Sequence, residues 1–397
     1  MTQKLPLKGI RIIAVEQYGA GPYGTQLLAD LGAEVIKIEN PLTGGDVSRF
    51  VSPHLIGDKD SQFFQTFNRN KKSLSLNLKS VEGRAAFEDL VKTADAVSNN
   101  LRGDLPAKLK IDYPYLKSIN PKIVCAHLSA YGRGNSRETW PGYDYLMQAE
   151  AGFCSVTGEP DGPPVRFGLS MVDFMTGSMF ATGLIAAVFG AHRTGKGSDI
   201  DVSLFDTALH QLSYPATWYL NSGDVVTRQP RGAHPAIVPS QLMEASDGWL
   251  MFCCQTQKFW ERVAERLGHP EWVSDPRFAK VEDRRCNRSL VQETMEVVLK
   301  TNTVAHWMKK FGGYVPAAPV YDIAQAMETP YVAEIEMVYE DNHTGFENGK
   351  IRLLSSPYKY NGQRLKGGIS PELGSNTDEL IGKPEKYLNS HPKKYGL

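Results

Sequence analysis

Asp173 stands in the stretch GLSMVDFMTG, residues 168–177, with a glycine at either end. A turn-rich run, 158–164, precedes it. An apolar helix candidate over 178–193 follows and is stopped by Thr194-Gly195-Lys196-Gly197. A carboxylate with little bulk beside it, at the mouth of a helix, has the chemistry of a covalent nucleophile. It can attack a carbonyl while backbone N–H groups hold the oxyanion that forms. The plainer reading is a helix cap, because Asp is a preferred N-cap residue.

A second constellation lies near the start. Residues 9–15 read as a buried aliphatic strand, 20–31 as a helix with Pro22 in its first turn, and 34–39 as a second strand. Gly19, Gly21 and Gly24 spell G-x-G-x-x-G at the strand-to-helix turn, and Glu39 follows about twenty residues later. This fits a dinucleotide fingerprint and keeps an NAD-dependent oxidoreductase in view. The physical content is narrower: a tight turn and a helix N-terminus facing something anionic or polar, which the phosphates of coenzyme A would use equally. Further along, Lys71-Lys72 precedes an alternating strand at 73–78. That pair is either a solvated turn or a phosphate contact.

The elements that position these residues alternate strand and helix through about residue 134, which predicts an open, mostly parallel α/β sheet. Ligands of such sheets bind at the C-terminal strand ends, where the loops 16–22, 40–46, 99–103 and 129–134 would gather. The character changes after residue 224. A smaller α+β domain is expected over 225–325, with 1–224 and 326–397 forming the larger domain. Asp247-Gly248 marks a hairpin within the smaller one.

Composition excludes several classes. The chain of 397 residues carries 44 basic and 44 acidic side chains, so neither a nucleic-acid footprint nor a polybasic membrane surface is expected. No apolar run is expected to span a membrane, and residues 1–8 hold no apolar signal core. The five cysteines, 125, 154, 253, 254 and 286, show no CxxC spacing and read as free thiols of a cytoplasmic protein; no metal site is expected.

Several ordered blocks carry a family resemblance. They are GAGPYGTQLLADLGAEVIKIENP (19–41), NRNKKSLSLNL (68–78), NNLRGDLPAKL (99–109), AHLSAYGRG (126–134), 168–177, TGKGSDIDVSLFDTAL (194–209), GAHPAIVPSQLMEASDG (232–248) and PELGSNTDEL (371–380). Together they resemble the class III CoA-transferases, which include formyl-CoA, carnitine and succinyl-CoA-dependent enzymes and relate to the α-methylacyl-CoA racemases. The resemblance implies a Rossmann-like large domain built from both chain ends, with a small domain between, and two such chains interlocked as a homodimer. It implies an acyl-CoA donor and a small carboxylate acceptor, with coenzyme A as substrate and no permanently bound cofactor. Asp173 then matches the residue that becomes an aspartyl-CoA thioester.

The resemblance also assigns binding residues. Lys71, Asn100 and Lys108 match contacts to CoA, Lys108 replacing an arginine. Gly19 and Ala20 match the loop beside the nucleophile. Ser129 stands where formyl-CoA transferases have a lysine, Gly19 where they have a glutamine, and Leu204 where a methionine flanks the CoA. Their glycine-rich loop is absent, and Gly232-Ala233-His234-Pro235 occupies its region as in the succinyl-CoA-using members. These departures argue against oxalate and leave the acceptor open; a dicarboxylate or another small organic acid is expected. Tyr131, Tyr143, Tyr145 and His234 are the polar groups to place near the acyl end, with core or loop packing the alternative role for each. A racemase needs a base on each face of an acidic carbon. Tyr143 occupies the histidine position of the racemase G-H-D motif, and with a reference pKa of ~10 it is a poor base.

Overall fold

The computed structural model describes residues 4–382. The chain divides into two compact units. The larger takes the residues up to Ala151, Gly168–Leu212 and those from Pro330 on; the smaller takes Gly152–Phe167 and Ser213–Thr329. This grouping is wider than 225–325 and adds the turn-rich stretch ahead of Asp173.

The larger unit is built on six strands: β1 (Arg11–Val15), β2 (Glu34–Glu39), β3 (Lys72–Ser75), β4 (Ala96–Asn99), β5 (Val124–Ser129) and β6 (Ser198–Ser203). Their order is β3-β2-β1-β4-β5-β6 and every pairing is parallel. Strands covered by helices on both faces must be apolar along their length. Accordingly Ile12, Ile13 and Ala14 of β1 are buried in succession, as is every residue of β5. The order reverses between β1 and β4, so the loops after these two strands part and leave a crevice at their C-terminal ends.

The 24-residue helix Met171–Thr194 starts earlier than the 178–193 expected, with Ser170 as N-cap and Asp173 in its first turn. By length and composition it is apolar enough to cross a membrane, contrary to the expectation that no such run exists. Starting at Met171 instead of Ser178, it adds Met171, Val172, Phe174 and Met175 to the apolar stretch. Phe180, Leu184 and Val188 on one face are buried within this unit.

That helix crosses the helix Ala20–Asp30 with the backbones in direct approach. A Cβ on Gly24 would fall 2.6 Å from the Gly177 carbonyl oxygen, and one on Gly177 2.6 Å from that of Ala20. Gly177, expected as a flexible flank of Asp173, is instead a mid-helix packing residue. Asp173 lies about one turn before it. The crossing therefore sets Asp173 over the N-terminus of the other helix.

The smaller unit has a three-stranded antiparallel sheet, β7 (Ser240–Glu244), β8 (Trp249–Cys253) and β9 (Ala317–Pro319). The helices Gln257–Leu267, Arg288–Leu299 and Val304–Phe311 belong to the same unit. Its core gathers Phe252, Trp260, Met295, Trp307 and Phe311.

Candidate active site

The loop after β1 turns sharply at Tyr18, which has φ 71°, a left-handed conformation uncommon for a bulky side chain. Its amide donates to Asp46 Oδ1 at 3.1 Å. Gly19 follows as N-cap of the helix Ala20–Asp30. A Cβ on Gly19 would sit 2.9 Å from Asp173 Oδ2, so only glycine lets this carboxylate come so close to the loop. Gly21 meets Asn100 in the same way, at 2.8 Å from its Cβ. Asn100 clamps the loop in turn: its Oδ1 accepts from the Gln17 amide at 2.9 Å and its Nδ2 donates to the Gln17 carbonyl at 2.7 Å.

These contacts account for G-x-G-x-x-G without a dinucleotide. Its first glycine admits the Asp173 carboxylate, its second admits Asn100, and its third admits the crossing helix. Glu39 is not free for a ribose either. It is buried, and its two oxygens accept from Arg49 Nη2 at 2.7 Å, Arg49 Nε at 2.8 Å, the Ser73 hydroxyl at 2.6 Å and the Asp46 amide at 2.9 Å. The oxidoreductase reading loses both of its supports.

Asp173 lines a cavity of about 220 Å³ together with Tyr18, Gly19, Ala20, Asn100, Ser129, Tyr143 and Leu204. Among the described residues no hydrogen bond to its carboxylate is present, while its backbone amide donates to Asp144 Oδ2 at 2.9 Å. It is thus not an N-cap. Burial, and then the nearby Asp144 carboxylate, raise its pKa to about 7. The N-termini of its own helix and of the Ala20–Asp30 helix act in the opposite sense. A carboxylate that titrates near neutrality, unpaired and beside a helix N-terminus, is equipped for attack on a carbonyl. In sequence Asp144 is visible only as the last residue of Gly142-Tyr143-Asp144, and nothing local places it beside Asp173.

A second cavity, of about 260 Å³, opens at the C-terminal ends of β1, β2 and β3 and shares Gln17 and Leu101 with the first. Asn40, Leu76, Lys79 and Leu109 also line it. Lys79 is exposed and its ammonium has no partner among the described residues. In sequence it is a lone lysine, less conspicuous than the basic pair Lys71-Lys72 on the same stretch.

Lys71 itself is turned inward. Its ammonium is fully enclosed and donates to Glu16 Oε1 at 2.8 Å, the Pro22 carbonyl at 2.9 Å and Asn68 Oδ1 at 3.1 Å. Burial lowers its pKa to about 8, although Glu16 opposes the shift. The phosphate contact expected of Lys71 is replaced by an internal ion pair. Lys108 is exposed and pairs with Asp104 at 2.7 Å, beside the Arg102 guanidinium bonded to the same carboxylate.

The remaining expected residues fall in different places. The Ser129 hydroxyl, at the end of β5, accepts from the Gly132 amide at 3.0 Å. Tyr131 is absent from the lining of the Asp173 cavity; its hydroxyl donates to Glu150 at 2.8 Å and its ring meets Trp140 edge-on. His234 belongs to the smaller unit, where its Nδ1 accepts from the amides of Ala236 and Ile237 and its Nε2 lies 3.2 Å from the Tyr214 hydroxyl. That arrangement is a loop-closing role. Among the described residues no group of histidine, cysteine and acidic side chains could hold a metal.

With fold and site in place, comparison with known proteins identifies the class. The family model of CoA-transferase family III matches residues 7–377, and the chain belongs to that family. It is 34% identical to an acetyl-CoA:oxalate CoA-transferase of Acetobacter aceti, over 90% of this chain and 90% of that one. It is also 34% identical to a succinate–glutarate CoA-transferase of Agrobacterium fabrum, over 96% of each. A crystal structure of a CaiB/BaiF family protein from Brucella suis superposes with TM-score 0.80 at 30% identity, covering 95% of this chain and 99% of that one. The protein is an enzyme that transfers coenzyme A from an acyl-CoA to a carboxylate.

Proposed function

We propose that this enzyme moves coenzyme A between small organic acids, with a dicarboxylate as acceptor, through covalent intermediates on Asp173. The observation that carries the reading is the Asp173 carboxylate, unpaired in its cavity, against Gly19 at a helix N-terminus. The ADP part of the donor would occupy the cavity at the ends of β2 and β3, with Lys79 near its phosphates. Its pantetheine arm would pass Gln17 and Leu101 toward Asp173. An Asp173 oxygen attacks the thioester carbonyl and expels CoA thiolate, leaving a mixed anhydride. The thiolate then attacks the aspartyl carbonyl, which releases the donor acid and leaves an aspartyl-CoA thioester. The acceptor carboxylate attacks that thioester, expels the thiolate and forms a second anhydride. Attack of the thiolate on the acceptor carbonyl yields the new acyl-CoA and frees Asp173. The backbone amides of Ala20 and Gly21, at the N-terminus of the Ala20–Asp30 helix, support each oxyanion.

Relatives named for oxalate and for glutarate support a dicarboxylate acceptor. They also weaken the case against oxalate, which rested on features of formyl-CoA transferases alone. The test is a panel of acyl-CoA donors and free mono- and dicarboxylic acids, with new thioesters read by mass spectrometry. The reading expects a dicarboxylyl-CoA product and is abandoned if only monocarboxylates accept.

Two further expectations follow from this reading. Lys79→Ala should raise donor KM by about 1–3 kcal/mol of binding, the range of a hydrogen bond to a charged group, with kcat little changed. Lys108→Ala should do less, because that ammonium is shared with Asp104. Dephospho-CoA thioesters, compared in both variants, show which lysine meets the 3′-phosphate. The second expectation is a homodimer that persists to nanomolar concentration, supported by the exposed Met179 and Phe189 on the long helix. Sedimentation velocity finding a folded monomer there rejects it.

A further inference from the structure

Tyr18 is the residue of the Asp173 cavity that costs the fold something to keep. Its φ of 71° lies where a non-glycine residue is strained, and Gly19 stands next to it, so the chain carries a bulky side chain at a turn that would suit glycine. The conformation is held from two sides. The Tyr18 amide is tied to Asp46, which is buried and paired with Lys37 at 2.7 Å. The ring leans on Phe63 with centroids 5.0 Å apart. The side chain nevertheless stays 40% exposed. Burial of the ring is therefore not what the strain maintains; the placement of the phenol is.

The other polar groups around Asp173 are largely committed. Asn100 spends both ends of its amide on Gln17. Arg102 spends its Nε and Nη2 on Asp104. The Ser129 oxygen accepts from the Gly132 amide, which leaves its own proton to donate. Gln17, Trp140, Tyr18 and Tyr143 remain; Tyr143 is 66% exposed at the rim, as N-cap of the helix Asp144–Glu150, and Tyr18 is the one that adjoins Gly19, against which the Asp173 carboxylate lies. An acid entering this cavity must bring its carboxylate to Asp173, itself ionisable, beside the buried Asp144. Two carboxylates in contact repel unless a neutral donor bridges the incoming one. A phenol supplies that donor without the positive charge that would hold a product acid too tightly.

We propose that Tyr18 determines specificity for the free acid: its hydroxyl donates a hydrogen bond to the carboxylic acid substrate in the Asp173 cavity, whether that acid is the one leaving or the one arriving. The raised pKa of this phenol, from burial first and then the Asp173 carboxylate, keeps it a donor through the neutral range. The inference rests on the function proposed above, because it takes the cavity as the place where acids and Asp173 meet.

The test is Tyr18→Phe, which keeps the ring on Phe63 and the same backbone demand and removes only the hydroxyl. Steady-state kinetics with a working donor and acceptor should show acceptor KM raised roughly 5–20-fold, the range for a partly exposed hydrogen bond to a charged group. The inhibition constant of the product acid should rise by the same factor, and donor KM should stay within twofold. An acceptor KM within twofold of wild type overturns the proposal. So does a parallel loss in donor KM, or in single-turnover release of acid from the donor, since either would make Tyr18 a support for the loop rather than a contact to the acid. Failure of the parent reading looks different: Asp173→Asn would then keep transferring CoA, whatever Tyr18→Phe does.

Discussion

Asp173→Asn should fold and should transfer no coenzyme A. The substitution leaves the backbone amide on Asp144 and the crossing at Gly24 and Gly177 untouched, and it costs no N-cap, because Ser170 occupies that position. It removes the carboxylate that the proposed mechanism uses to form the anhydride. The same variant carries a stability signature. Folding raises the Asp173 pKa to about 7, so the native state holds this proton more tightly than the unfolded chain, whose value is near 4. The protonated form is thus favoured by folding, and that advantage is lost as the pH rises through about 7. Asparagine, neutral throughout, escapes the penalty. Asp173→Asn should therefore be the more stable protein at pH 8, by on the order of 2–4 kcal/mol, with the difference shrinking toward zero as the pH falls to about 4. Denaturant melts at pH 4.5 and 8 check this; equal midpoints at both would contradict the raised pKa. In the wild type, kcat/KM should climb with pH through about 7, as the free enzyme's carboxylate ionises.

Lys71→Ala should be the most damaging single change outside the cavity. Glu16, Lys37, Glu39, Asp46, Arg49 and Lys71 form a buried set of three acids and three bases beneath the β1–β3 ends. Taking away one base leaves Glu16 enclosed without its cation, which costs about 3–5 kcal/mol where such pairs have been broken. Chemical denaturation should show that loss, and Lys71→Met with Glu16→Gln should recover most of it, since the pair's net worth is small. A Lys71→Ala protein of wild-type stability but weakened donor binding would restore the phosphate contact first expected here.

What the sequence made legible was whatever depends on neighbours along the chain. The strand 34–39 coincides with an observed element, and the helix expected over 20–31 with one ending a residue earlier, because aliphatic runs and periodic apolar positions act locally. Asp173 stood out for the same reason. What stayed hidden depends on contacts remote in sequence. The helix start at Met171 was masked because Gly177 reads as a breaker, whereas its lack of a side chain serves the crossing helix. Lys71 and Lys79 carry the same charge on the same stretch, and only packing against Glu16 sends one inward while the other stays at the cavity. The conformation of Tyr18 is imposed by Asp46 and Phe63 and leaves no trace in local residue preferences.

The central claim is that Asp173 becomes covalently bound to coenzyme A. Wild-type enzyme incubated with an acyl-CoA donor and no acceptor, then treated with borohydride, tests it most directly, because a thioester is reduced and a free carboxylate is not. Peptide mapping should find Asp173 reduced to the alcohol, and a parallel hydroxylamine quench should place a hydroxamate on the same side chain. Unmodified Asp173 in both quenches, from enzyme that is turning over, would contradict the account.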